Sequence, residues 1–353
     1  MNDHAAAGAH MAAEILEQPD RWRELLRTGR GELAAAAQLI RDTDPELVVF
    51  AARGSSDHAA MYAQYLTHNV LHVPAVLATP STVTAFGSEL RYPRSVMLAV
   101  SQSGESPDLL ETVRSAQRAG VPVIAFTNSS SSSLAGPAEA HVSLSAGPEL
   151  SVAATKTYTA ELLALHLVIR LAGGAAWHAL EHQVTLAAEV AASTVTSSVA
   201  DLVSALVGAD RVLVVGRGYS MSTAKEGALK LMETNAIAAS GWSAADATHG
   251  PLGQVVPGTP VIALTASPDG RESVTEFAKA AARVGGLVLT VGVPVANAAV
   301  HLPLPLSRFA DLDPALVPLI EVIPLQQLAL ELALHRGRDP DRPPGLAKVT
   351  RTR

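Results

Sequence analysis

The 353-residue chain contains no cysteine. That removes disulfides, thiolate metal sites and a cysteine nucleophile from consideration. Aromatic residues make up only 4 % of it, while Ala, Val and Leu dominate. Such a composition suits helices packed on a buried sheet. The net charge is −7 and no Lys/Arg cluster stands out, which argues against nucleic acid or an anionic membrane surface as partner. The opening MNDHAAAGAHMAAEILEQPD has neither the basic region nor the apolar run of a signal peptide. No uninterrupted apolar stretch reaches the roughly 18–20 residues of a membrane helix. A cytoplasmic protein is expected, long enough for two domains.

What the chain does have is one internal repeat. ELVVFAARGSSD (Glu46–Asp57) and DRVLVVGRGYSMS (Asp210–Ser222) both read as an apolar strand ending in Arg-Gly and a hydroxyl-bearing loop. Arg53 and Arg217 are 164 residues apart. MLAVSQSGESPDLLETVRSAQRAGVPVIAF (Met97–Phe126) matches PVIALTASPDGRESVTEFAKAAARVGGLVLTV (Pro260–Val291), with Ser101 opposite Thr265 at the same offset. A shared offset in two places indicates duplicated domains. Strands alternate with helices every 20–30 residues, as in a parallel sheet with helices on both faces.

The remaining pattern sets the expected boundaries. Residues 1–45 form a helical segment interrupted near Pro19 and Gly29. A first domain covers 46–170, a helical connection 171–207, a second domain 208–335 and a Pro-rich tail 336–353. A short helix is expected near Pro80–Glu89 and a long one over Pro314–His335.

Two groups of residues can carry chemistry. The loop Ser101-Gln102-Ser103-Gly104-Glu105-Ser106 follows a buried strand and precedes a helix. Its hydroxyls and the helix N-terminus suit a phosphate monoester, although Ser and Pro also favour an ordinary N-cap and turn. Arg53-Gly54-Ser55-Ser56 lies at the corresponding end of another strand, so two hydroxyl loops share one rim. There is no Gly-Lys-Ser/Thr of a Walker loop, no third glycine for a dinucleotide site and no Gly-x-Ser-x-Gly elbow. In the second repeat Glu226, Lys230 and Glu233 fall on one helix face. They read either as a solvated ion pair or as a general base beside a cation. His249, in the loop Asp246–Leu252, is placed to exchange protons near neutral pH. His68 and His72 are spaced as in zinc helices but have no glutamate between them, and neither metal nor cofactor is expected.

In these motifs the chain resembles the double sugar isomerase (SIS) domain family. The similarity is to the isomerase half of glutamine–fructose-6-phosphate aminotransferase and to stand-alone relatives that deaminate glucosamine 6-phosphate. It runs from MAAEILEQP (Met11–Pro19) through SQSGES, PELSVAATKTYTAEL (Pro148–Leu162), EGALKLME (Glu226–Glu233) and HGPLGQV (His249–Val255) to Gly345-Leu346-Ala347-Lys348. The resemblance implies two tandem α/β domains of three αβα layers, flavodoxin-like. It implies that Ser55, Ser56, Ser101, Gln102, Ser103 and Ser106 cradle a sugar phosphate and that Val152 and Ala153 touch the sugar. Glu233 becomes the base at C1/C2, and Glu226 and Lys230 organise its face. His249 opens the ring, reaching in from the partner of a homodimer, and Lys348 covers the site.

The departures bear on the reaction. About 45 residues precede the first strand and none is cysteine, so glutamine amidotransfer is not expected. Ala154 stands where the family has a serine, Thr248 where it has a lysine, and Asp246 where it has a glutamate. The reaction the resemblance implies is isomerisation with deamination of glucosamine 6-phosphate, giving fructose 6-phosphate and ammonia. β-Elimination from N-acetylglucosamine 6-phosphate and a non-catalytic phosphosugar sensor are the alternatives.

Overall fold

The computed structural model describes residues 6–308 and 310–348. It opens with α1 (Ala9–Thr43), followed by β1 (Leu47–Ala51), α2 (Ser55–Val70), β2 (Ala75–Leu77), α3 (Ser81–Thr84), β3 (Ser95–Val100), α4 (Pro107–Arg118), β4 (Val123–Thr127) and β5 (Ala140–Ser143). Helices α5 (Lys156–Ala172), α6 (Trp177–Thr194) and α7 (Ala200–Leu206) come next. The second repeat holds β6 (Arg211–Gly216), α8 (Ser220–Asn235), β7 (Ala238–Ser243), α9 (Ala244–Ala247), β8 (Pro260–Leu264), α10 (Arg271–Arg283), β9 (Leu287–Gly292) and β10 (Val300–Pro303). It closes with α11 (Val317–Glu321) and α12 (Ile323–His335).

The duplication is explicit in the topology. One sheet has the order β2-β1-β3-β4-β5 and the other, read from its opposite edge, β7-β6-β8-β9-β10. All neighbouring strands are parallel. This is the flavodoxin-like order, in which the chain switches direction between the first strand and the third and leaves a crevice at their carboxyl ends. The sheets are buried because helices cover them: Val96–Val100 and Val261–Ala263 are fully inaccessible. Helices α4 and α10 start 164 residues apart and each buries one stripe, with Val113 and Phe277 at matching positions. Leu109, Thr112, Val113 and Ala116 line one; Val274, Phe277, Ala278 and Ala281 line the other.

The chain divides into two compact units that interleave along the sequence. One comprises Asp20–Glu149 and Lys156–Thr185 and contains β1–β5. The other comprises the chain up to Pro19, Leu150–Thr155 and Leu186–Lys348, and contains β6–β10.

Three local expectations are corrected. Helix α1 is continuous through Pro19 and Gly29. Its buried stripe of Met11, Ile15, Trp22, Leu25, Leu33 and Ile40 runs through both positions, so packing outweighs one missing N–H. The helix expected near Pro80–Glu89 is the single turn Ser81–Thr84. The run 314–335 is a 3₁₀ turn followed by α11 and α12; Pro324 has no N–H to carry the ladder across Val322. That run is, among the described residues, the one segment long and apolar enough by composition to cross a membrane, and 94 % of its apolar window is buried inside the protein.

Close packing between α8 and β7 depends on Gly241. A Cβ there would lie 2.4 Å from Lys225 Cα and 2.5 Å from Ala224 O, both backbone atoms that cannot swing away. Gly241→Ala is expected to destabilise the protein by about 1–3 kcal/mol through overpacking, read as a lower urea midpoint at unchanged m-value.

Candidate functional site

In the unit built on β1–β5, the loops after β1 and β3 meet at the switch point. Gly54 has φ +57°, which turns the chain sharply from β1 into the first residues of α2, Ser55 and Ser56. In the second loop Gly104 has φ +66°, and a Cβ on it would sit 2.4 Å from Ser132 Oγ. Its N–H donates to Ser101 Oγ at 3.1 Å, and Glu105 N–H donates to Ser103 Oγ at 3.3 Å. Gln102 accepts from Asn128 N–H through its carbonyl. Ser106 is the N-cap residue of α4 and donates to Asp108 Oδ1 at 2.7 Å. The buried Asp108 carboxylate also holds Arg53, with Nε and Nη2 each 2.8 Å from Oδ2. Arg53 and Asp108 therefore tie the two loops together.

The hydroxyls differ in what they have left to give. Ser101 and Ser103 serve as acceptors of backbone N–H groups, so their own hydrogens remain for a ligand. Ser56 spends its hydrogen on Glu161 Oε1 at 2.8 Å, as Ser106 does on Asp108. Glu105 points the other way and fastens the loop to Ser133, accepting from its N–H at 2.8 Å and its hydroxyl at 2.7 Å. The Ser133 amide, then its hydroxyl, hold the Glu105 carboxyl below the usual range despite slight burial. With the α4 N-terminus behind it, this cup can hold a small anion through Ser101, Ser103 and backbone amides.

The second repeat keeps the frame but fills it. Gly218 has φ +58°, matching Gly54. Ser220 stands 164 residues after Ser56, and Ala266 the same distance after Gln102. Here Ala266 N–H donates to Glu321 Oε1 at 3.3 Å, and Thr265 Oγ1 donates to backbone carbonyls of the neighbouring strand end. Glu321 is fully buried. Burial pushes its carboxyl up to about 7, against the opposing pull of the Ser220 hydroxyl, the Ala266 amide and Arg271. A protein carboxylate thus takes the backbone amide of this loop in the second repeat. Neither Glu161 nor Glu321 was singled out from sequence; each lies on an apolar helix outside the repeated motifs.

Helix α8 carries the acid–base candidates. Glu226 and Lys230 are completely buried, and Glu233 is 21 % exposed. Lys230 Nζ lies 3.2 Å from Glu226 Oε1 and 2.7 Å from Glu233 Oε2. The solvated-pair reading is thus overturned: the helix face that the i,i+3,i+4 spacing defines points inward. Burial pulls the Lys230 ammonium down, but Glu226 and Glu233 together hold it above its ordinary value. Of the three, only Glu233 reaches accessible space, and not through Oε2, which is buried against the ammonium. The arrangement presents one oriented carboxylate with a fixed cation behind it.

The other sequence-predicted residues of this unit are distributed along it. His249 lies in the turn after α9, exposed, its backbone N–H donating to Asp246 O. Thr248 spends its hydroxyl on Ala245 O at 2.6 Å. Val152 is half-buried and Ala153 buried, in the segment Leu150–Thr155, and Lys348 is half-buried in the tail. His68, in the other unit, uses Nε2 to accept Ala75 N–H at 3.0 Å, so that nitrogen is engaged structurally.

Two parallel sheets of flavodoxin-like order, one followed by a hydroxyl-lined loop and one flanked by the helix that carries the ion triad, define a duplicated α/β protein. The SIS domain model matches residues 43–171 and 205–336, and the chain belongs to the SIS domain family. It is 32 % identical to the glutamine–fructose-6-phosphate aminotransferase of Thermococcus kodakarensis, over 99 % of this chain and 59 % of that protein. The chain spans less than two thirds of the curated relatives it matches. A solved protein of Silicibacter pomeroyi, named as a candidate phosphosugar isomerase, is 31 % identical with a TM-score of 0.85, covering 94 % of this chain and 99 % of that one. The fold is also that of the C-terminal domain of glucosamine–fructose-6-phosphate aminotransferase from Francisella tularensis, at TM-score 0.82 and 23 % identity, over 97 % of this chain and all of that one.

Two outcomes are expected. Lys230→Met leaves the buried Glu226 without its cation and should cost about 3–5 kcal/mol of stability, measured by chemical unfolding. Glu321 has a folded-state pKa raised from 4.5 to about 7, so the folded protein binds the proton more tightly than the unfolded chain. Its effect is to lower stability as pH rises from about 4.5 to about 7; Glu321→Gln should flatten that part of the stability–pH curve.

Proposed function

We propose that this protein is an enzyme acting on a hexosamine 6-phosphate, isomerising and deaminating glucosamine 6-phosphate to fructose 6-phosphate and ammonia. The observation that carries the reading is the α8 triad, in which two buried groups orient one partly accessible carboxylate. In this reading Ser101, Ser103 and the α4 N-terminus take the phosphate, with Gln102, Ser55, Ser56 and Ser106 shaping the cup. Val152 and Ala153 contact the sugar. His249 opens the ring, and Glu233 takes the C2 proton of the open aldose. Electrons from the C–H bond move into the C1 carbonyl; His249 stabilises the charge that forms, while the buried Lys230 holds Glu233 in position. Returning the proton to C1 gives a ketose imine, and water then releases ammonia. Lys348 closes over the sugar. The relatives' names support a phosphosugar substrate.

The same reading has a cytoplasmic homodimer in which His249 serves the partner's site; its exposure supports that role. Loss of water from N-acetylglucosamine 6-phosphate is the second reading. It is favoured by Ala154, which offers no hydroxyl, and by Thr248, whose hydroxyl is already spent on Ala245. An amide nitrogen at C2 is shed less readily than an amine, which directs the same enolate toward elimination.

The purified protein should be incubated with each sugar phosphate and the products followed by NMR. Ammonia with fructose 6-phosphate is the expected result. An unsaturated sugar from the acetylated substrate would select the second reading, and saturable binding without turnover of either would make the protein a sensor. Glu233→Gln should keep substrate affinity within a few-fold while turnover falls by roughly 10²–10⁴; full turnover by this variant removes Glu233 from the base role.

A further inference from the structure

Segment Leu150–Thr155 has no regular secondary structure, yet its backbone is pinned along most of its length. Two side chains of α1 take part, Glu14 directly and Gln18 through Gln326. Glu14, 3 % exposed, accepts from Leu150 N–H, and its two oxygens each lie 3.4 Å from Ser151 N. Val152 N–H donates to Asp341 O at 3.2 Å. Thr155 O accepts from Gln326 Nε2 at 3.2 Å, and Gln326 Oε1 in turn accepts from Gln18 Nε2 at 2.9 Å.

Asp341 has a second task. Its carboxylate, on a residue 4 % exposed, accepts from His10 N–H at 3.0 Å and Met11 N–H at 2.8 Å. Those first-turn amides have no partner within the helix, so a residue 330 positions away caps α1 as a local side chain normally would. Asp339 Oδ1 completes the arrangement by accepting from Gly8 N–H at 3.2 Å and Asp341 N–H at 3.0 Å. The tail segment that leads to Lys348 is thereby locked to α1 at the same residue whose carbonyl holds Val152.

We propose that Asp341 is a positioning residue: its carboxylate clamps the C-terminal tail to the start of α1 so that its carbonyl, with Glu14, fixes the Leu150–Val152 backbone for sugar recognition. The sugar-contacting role of Val152 and Ala153 rests on the function proposed above; the clamp does not. A loop without a ladder of its own holds its side chains only as accurately as its backbone groups are pinned. Asp341→Asn keeps the size but replaces one acceptor by an NH₂ facing a helix N–H, which frees one of the two capping bonds.

The test compares two ligands and one measurement that needs no activity. In D341N the affinity for glucosamine 6-phosphate, by calorimetry or as KM, should fall at least tenfold. The affinity for inorganic phosphate, which depends on the serine loops of the other unit, should stay within twofold. Amide hydrogen exchange in a peptide covering 150–152 should quicken at least tenfold, and E14Q should reproduce both effects. Equal weakening of both ligands, or unchanged exchange at 150–152, overturns the proposal. If D341N fails to fold, E14Q decides alone, since Glu14 lies away from the helix cap: native exchange and native sugar-phosphate affinity in E14Q sink it. If the wild type binds the sugar phosphate no better than phosphate, the functional reading fails, and the exchange rates still test the clamp.

Discussion

A single ammonium group, removed from water between two carboxylates on adjacent turns of α8, sets the terms for the second repeat of this protein. An isolated buried cation is prohibitively costly, so Lys230 requires both neighbours as anions. That requirement orients Glu233 without consuming all of its side chain. Glu226 and Lys230 are sealed inside, so only the third member meets the outside. A carboxylate with a fixed position and one accessible side is what proton transfer at a carbon acid demands.

The same economy of partners separates the two repeats. Both sheets offer a crevice at the carboxyl ends of their first and third strands, and both use a glycine with positive φ to turn into the following helix. In the first repeat Glu105 is spent on Ser133, and Arg53 on Asp108, which joins the two loops. In the second, Glu321 is brought in on α11 and takes the Ala266 amide. One frame therefore leaves serine hydroxyls available in the first repeat and takes in a buried carboxylate in the second.

Much of the fold was legible in the sequence. The apolar runs repeated at an offset of 164 become β1, β3 and β4 in the first repeat and β6, β8 and β9 in the second. The failures share a cause. Pro19 inside α1, and Pro324 in the first turn of a helix that restarts, carry the same local signal. Whether a helix continues past a proline depends on what its other faces bury, and that is a tertiary quantity. The Glu226–Lys230–Glu233 spacing likewise placed three groups on one face but did not say whether the face met water.

The residues that set the sites apart were the least legible. Asp341 caps a helix by accepting from Met11 N–H, 330 residues earlier, and Glu161 and Glu321 sit on helices that read as apolar. The amino-acid sequence by itself determined the duplicated α/β architecture, the glycine turns and the hydroxyl loops, because these depend on backbone propensity and short-range periodicity. Only the tertiary structure decided which hydroxyls keep a hydrogen to offer, which charges are buried and which carboxylate faces outward. Those properties depend on partners that are far apart along the chain and are brought within hydrogen-bond distance only when it folds.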